Sequence, residues 1–145
     1  MGAQRAEQST VIAAPPERCF AAITDFESYP QWQSAVKRCE VRERDSEGRA
    51  SLVETVIDVR LREIRYVLRY SYEPPRLVRW DYVEGDIRSV EGEYRFEDAG
   101  DGATRATYRL ALDPGRFLPG PLRSLLVDGV MRTSVRELKT RAEGA

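Results

Sequence analysis

Hydrophobic positions change period along this chain. Between residues 36 and 112 they alternate with polar ones in short runs, and toward both ends they recur every third or fourth residue. In 63–72, Ile64, Tyr66, Leu68, Tyr70 and Tyr72 share one face, whereas Glu63, Arg65, Arg69 and Ser71 share the other with Val67. Val78, Trp80 and Tyr82 stand opposite Arg79 and Asp81. Val90, Gly92, Tyr94 and Phe96 stand opposite Ser89, Glu91, Glu93 and Arg95. Tyr108, Leu110 and Leu112 oppose Arg109, and Val53, Thr55, Ile57 and Val59 oppose Glu54, Asp58 and Arg60. A period of two is the mark of a half-buried strand. It predicts strands near 36–44, 50–60, 63–72, 77–84, 88–97 and 103–112, after a first strand over Ser9 to Ala14.

The connections are short and rich in turn formers: Asp45 to Gly48, Arg60 to Arg62, Glu73 to Arg76, Gly85-Asp86 and Asp98 to Gly102. Loops of this length join antiparallel neighbours, so the sheet is expected to be a meander. One face would carry charge in solvent and the other would be apolar. Glu54 and Asp58 are two carboxylates at strand spacing, but the alternation puts both on the solvated face, away from any catalytic role.

Helical spacing frames the sheet. Pro15-Pro16 opens a first helix, with Cys19, Phe20 and Ile23 on one side, that ends near Asp25. A second short helix is expected over Ser28 to Ser34. Pro114 to Pro121 reads as a rigid loop, followed by a long helix from about Leu122 to Glu143. On that helix Val127, Met131, Val135 and Leu138 form one stripe. Leu122, Leu125, Leu126 and Val130 form a second, which includes Gly129 and Thr133. Two stripes suit a helix that touches the sheet and something more: a pocket, a loop or a partner subunit. A broadly buried helix would show the same pattern.

Six of the seven tyrosines (Tyr66, Tyr70, Tyr72, Tyr82, Tyr94 and Tyr108) fall on the apolar face. A sealed core favours side chains without hydroxyls, because a buried hydroxyl must find a partner. Two readings fit: an interior that is partly wet or ligand-filled, or tyrosines near strand ends bonded to backbone carbonyls.

Composition narrows the chemistry. The 23 basic and 24 acidic residues nearly cancel, leaving a net charge of −1, which argues against a nucleic-acid partner or a polybasic membrane anchor. No apolar run approaches the length of a membrane span, so stable membrane insertion is not expected. The polar start, Met1 to Gln8, lacks a secretory core, and the expected location is cytoplasmic. There is no histidine, and Cys19 and Cys39 are isolated. Histidine-based triads are therefore excluded, and no metal site or cofactor is expected. Gly85 and Gly92 are too far apart for a phosphate-binding loop.

Three stretches carry a resemblance. Ala14 to Phe20 resembles the strand-to-helix entry of the START-like (SRPBCC) helix-grip superfamily. Asp25-Phe26-Glu27-Ser28-Tyr29-Pro30-Gln31-Trp32 resembles its D-x-x-x-Y-P-x-W signature. Arg79 to Gly85 followed by Gly92 to Phe96 resembles its central hairpin. Within the superfamily the chain looks most like the polyketide cyclase/dehydrase group, which has coenzyme-Q-binding relatives. The resemblance implies an α+β helix-grip fold over 1–145, with a core of about 9–141. A seven-stranded antiparallel sheet would wrap around the long C-terminal helix, with two short helices after the first strand.

The expected function is binding of a small apolar or aromatic molecule of lipid, isoprenoid or polyketide type, between sheet and helix. The alternative is an aromatase/cyclase-type enzyme working in the same pocket, with tyrosine hydroxyls polarising a ketone. A third reading is an interaction protein whose groove takes a partner chain. The ligand-contacting residues expected are Trp32, Tyr70, Trp80, Tyr82, Tyr94, Tyr108, Leu122, Leu126, Gly129 and Val130; no catalytic residue is assigned.

Overall fold

The structure is a computed structural model that describes residues 4–59, 62–115 and 120–144; the side chains of Val59 and of residues 120–126 lie outside the description. The strands are β1 (Gln4–Ile12), β2 (Val36–Arg44), β3 (Ala50–Val59), β4 (Arg62–Glu73), β5 (Leu77–Gly85), β6 (Ser89–Gly100) and β7 (Ala103–Asp113). The helices are α1 (Pro16–Thr24), α2 (Tyr29–Trp32) and α3 (Gly120–Gly144), with a 3₁₀ turn over Phe26–Ser28 leading into α2. The element order is that of the expected helix-grip fold.

All seven strands form one antiparallel sheet in the order β1-β7-β6-β5-β4-β3-β2. The six later strands run as the expected meander, and β1 returns to close on β7, with Gln8 opposite Tyr108. β1 begins at Gln4 rather than Ser9, since polar alternation alone does not announce a strand whose partner lies a hundred residues away. The expected second helix over 28–34 is a 3₁₀ turn and a single α-helical turn. The connection at 60–61, and residues 116–119 of the expected rigid loop, lie outside the described residues.

The long helix lays its first stripe against the concave face: Val127, Met131, Val135 and Leu138 are all buried, joined by Ala142. Its C-terminal turns also reach the edge of the sheet. Lys139 Nζ donates to the Val11 carbonyl at 2.9 Å, and the Ala13 N–H donates to Glu143 Oε2 at 2.8 Å.

The outer face carries the expected charge, organised in ladders. Glu7, Arg109, Glu93 and Arg79 alternate in sign across β1, β7, β6 and β5, with Arg109–Glu7 at 2.8 Å and Arg79–Glu93 at 3.3 Å. One expectation for this face needs correction: Glu54 is not solvated but 4% exposed. It lies beneath Arg42 and Arg65, which both bond its carboxylate, with Arg38 at 3.9 Å. The hydrogen bond from Arg65 is the main reason its pKa falls below the usual carboxylate value. Strand parity places a side chain on a face but does not reveal that long neighbours fold over it.

Candidate functional site

Between the concave face and α3 the packing leaves a cavity of about 150 Å³. A single water needs roughly 10–15 Å³ by the same measure. The sheet supplies Tyr66, Leu68 and Tyr70 from β4, Val78 and Trp80 from β5, Val90 and Tyr94 from β6, and Tyr108, Leu110 and Leu112 from β7. Val127, Val130 and Ser134 come from α3, and Ile23, Tyr29 and Gln33 close the end near α1 and α2. Among the described lining residues there is no Asp, Glu, Lys or Arg.

The rings form a continuous wall. Tyr94 and Tyr108 stack at 4.5 Å between centroids, Trp80 meets Tyr108 edge-on at 5.7 Å, and Tyr70 lies 6.0 Å from Trp80. Gly92 makes room for the indole. A Cβ there would lie 2.7 Å from Trp80 Cζ2.

The tyrosines divide into those with a hydroxyl partner and those without one. Tyr72 donates to the Ala50 carbonyl, Tyr82 to the Ile87 carbonyl at 2.6 Å, and Tyr29 to the Ile23 carbonyl. Tyr94 shares a 3.1 Å hydrogen bond with Ser134, joining sheet to helix across the cavity. The hydroxyls of Tyr66, Tyr70 and Tyr108 have no hydrogen-bond partner among the described residues, yet no buried side-chain oxygen there is sealed off without one. These three hydroxyls therefore open onto the cavity. Desolvation raises the pKa of all three and of Tyr94, so each stays a neutral phenol at physiological pH.

Of the residues expected from sequence, Tyr70, Trp80, Tyr94, Tyr108 and Val130 line the cavity. Leu122 and Leu126 have side chains outside the described residues. Three others lie away from the cavity. Trp32 borders a separate surface dent with Arg136, Glu137, Thr140 and Arg141. Its Nε1 donates to Ser28 Oγ at 3.1 Å, and its ring packs edge-on against Tyr29, which stands between it and the cavity. Tyr82 packs beside the core, its hydroxyl committed to Ile87, and does not line the cavity. Gly129 is absent from the lining too: among the described residues a Cβ there would meet nothing within 4 Å. Helical geometry places it about 200° around the axis from Val127, away from the cavity. The expected set left out Tyr66 and several aliphatic residues that the alternation had already put on the apolar face, and sequence reasoning also missed Tyr29, Gln33, Ile87 and Ser134. Tyr29 was within reach as the aromatic residue of the D-x-x-x-Y-P-x-W stretch; the polar Gln33 and Ser134 carried no apolar signal.

Two thiols remain unbridged and buried. Cys39 lies close to Thr55 Oγ1, and burial pushes its pKa up to about 11, which leaves it an unreactive thiol. Among the described residues no helix is long and apolar enough to cross a membrane.

Comparisons with known proteins agree with this geometry. A START superfamily protein from Mycobacterium smegmatis superposes with a TM-score of 0.89 at 21% identity, covering 99% of both chains. The Zhui aromatase/cyclase from Streptomyces sp. R1128 superposes with a TM-score of 0.84 at 16% identity, over 97% of this chain and 94% of that one. TTHA0849 from Thermus thermophilus gives 0.80 at 22% identity, over 96% and 97%. At these identities the likeness is one of fold. No curated protein sequence matches this chain significantly. Residues 3–143 match the sequence pattern of one family over almost the whole length, and this chain therefore belongs to the polyketide cyclase/dehydrase and lipid transport family.

Proposed function

We propose that this protein holds a small apolar molecule, of lipid, isoprenoid or polyketide type, in the cavity between the sheet and α3. The observation that carries the reading is the lining: apolar and aromatic walls, a few hydroxyls, and no charged side chain among the described residues. Pockets of this composition gain affinity from buried area and orientation from a few polar groups. A cytoplasmic location belongs to the same reading and fits two thiols left free.

Native mass spectrometry of protein purified from its own host tests the proposal. A retained mass of a few hundred daltons, lost under organic extraction, is the expected result. Ligand-free protein that also fails to take up any apolar molecule from a total host extract would refute it.

A cyclase-type reaction is the second reading, favoured by the unpartnered hydroxyls of Tyr66, Tyr70 and Tyr108. Neutral phenols on an apolar pocket wall can donate to a ketone oxygen as charge develops on it. Folding a reactive chain against a fixed wall adds the orientation that cyclisation needs. The family includes cyclases by its description, and one structural relative is an aromatase/cyclase. Conversion of a poly-β-ketone by the purified protein, faster than in buffer, tests this reading.

A further inference from the structure

The unpartnered hydroxyls deepen that binding proposal and rest on it. Tyr66 and Tyr70 lie four residues apart on one face of β4, and Tyr108 lines the same cavity from β7. The other four tyrosines satisfy their hydroxyls within the protein, so these three stand out as donors kept for something else. The walls beside them are flat: Tyr108 is stacked on Tyr94 and set edge-on to Trp80.

We infer that Tyr66, Tyr70 and Tyr108 form a donor set that selects uncharged ring molecules bearing an acceptor oxygen, and that the same pocket rejects carboxylates. A neutral phenol donates well to a ketone, quinone or ether oxygen. A ligand oxygen that meets these hydroxyls replaces the water they would otherwise hold; a pure hydrocarbon strands them. A carboxylate faces the opposite balance. Burying it without a cation costs more than neutral hydrogen bonds return, and no Lys or Arg lines the described cavity.

Three probes of one shape separate these terms: 2-acetylnaphthalene, 2-ethylnaphthalene and 2-naphthoate, each measured by equilibrium dialysis at pH 7.5. The quantity read is the ratio of ketone affinity to hydrocarbon affinity. In the Tyr66→Phe/Tyr70→Phe/Tyr108→Phe variant this ratio is expected to fall about tenfold or more, while the hydrocarbon binds at least as tightly as before. Retained hydrocarbon binding also reports that the variant is folded. Should the triple variant not fold, at least one of the three single Tyr→Phe variants is expected to lower the ratio by about twofold or more, because one ketone oxygen accepts from two donors at most. Naphthoate is expected to bind the unsubstituted protein at least about a hundredfold more weakly than the ketone. An unchanged ratio overturns the donor set, and naphthoate binding on a par with the ketone overturns the exclusion of acids. If neither neutral probe binds the unsubstituted protein, the cavity-binding proposal itself falls, and this inference with it.

Discussion

Trp80 and Gly92 face each other across β5 and β6, and the indole occupies the space that a side chain at Gly92 would need. A Cβ at that position would stand 2.7 Å from Trp80 Cζ2 and 2.7 Å from the Arg109 carbonyl oxygen. The carbonyl is backbone and cannot yield, and the indole is held among Tyr70, Tyr94 and Tyr108. Gly92→Ala is therefore expected to destabilise the protein by about 1–3 kcal/mol, as overpacking does. It should also move the indole toward the cavity and weaken binding of an apolar probe. Chemical denaturation and tryptophan emission check the two effects; an alanine variant as stable as the parent would show that the indole has room to shift.

Gly129 gives the opposite case. It sits in α3, and among the described residues nothing lies within 4 Å of where its Cβ would be. Gly129→Ala is expected to stabilise the protein by up to about 1 kcal/mol through helix propensity alone. Because the position faces away from the cavity, probe affinity should stay unchanged. Thermal unfolding together with a binding isotherm decides this, and a loss of binding would mean that Gly129 does meet the ligand.

The Tyr94–Ser134 bond is the polar tie between sheet and helix inside the cavity. Removing either hydroxyl, by Tyr94→Phe or Ser134→Ala, is expected to cost about 0.5–1.5 kcal/mol. The double variant should cost less than the sum of the two, since both singles break the same bond. Full additivity in a double-mutant cycle would show that the two hydroxyls do not interact in solution.

Strand parity made much of this site readable in advance. Tyr70, Trp80, Tyr94 and Tyr108 each lie on a long, regularly paired strand, and one residue's direction there dictates the next. The failures fall where that rule has no purchase. Trp32 belongs to a four-residue helix, too short for periodicity to say which side is inside. Tyr82 lies beside the register shift between Val67 and Leu68, close to the strand end, where a carbonyl takes its hydroxyl. On α3 two stripes were visible, yet only the packed structure tells that Val130 borders the cavity and Gly129 does not. Which tyrosines would leave their hydroxyls unpartnered depends on the carbonyls of Ile23, Ala50 and Ile87 and on Ser134, distances that no local pattern encodes.

Alkaline pH should unfold the protein cooperatively. Desolvation raises the pKa of Tyr29, Tyr66, Tyr70, Tyr94 and Tyr108 above the ordinary value of 10.0. A phenol whose folded pKa is raised contributes stability that is complete below its unfolded pKa and is lost as pH rises toward the folded value. Stability is therefore expected to hold to about pH 10 and then fall steeply, with several groups acting together. Phenolate absorbance and circular dichroism should change in one transition. Smooth ionisation of all seven tyrosines in a protein that stays folded would contradict their burial.

The clamps at the C-terminal end of α3 have a consequence for solubility. β1 is a border strand, and a border strand offers its free amides and carbonyls to any other chain that can align with them. Lys139 and Glu143 occupy the Val11 carbonyl and the Ala13 amide, so the last turns of the helix guard that border against self-recruitment. A protein carrying Lys139→Ala and Glu143→Ala keeps every described cavity residue in place but bares the border. Its failure would be a slow, concentration-dependent growth of assemblies, seen by light scattering while the interior cavity is still intact.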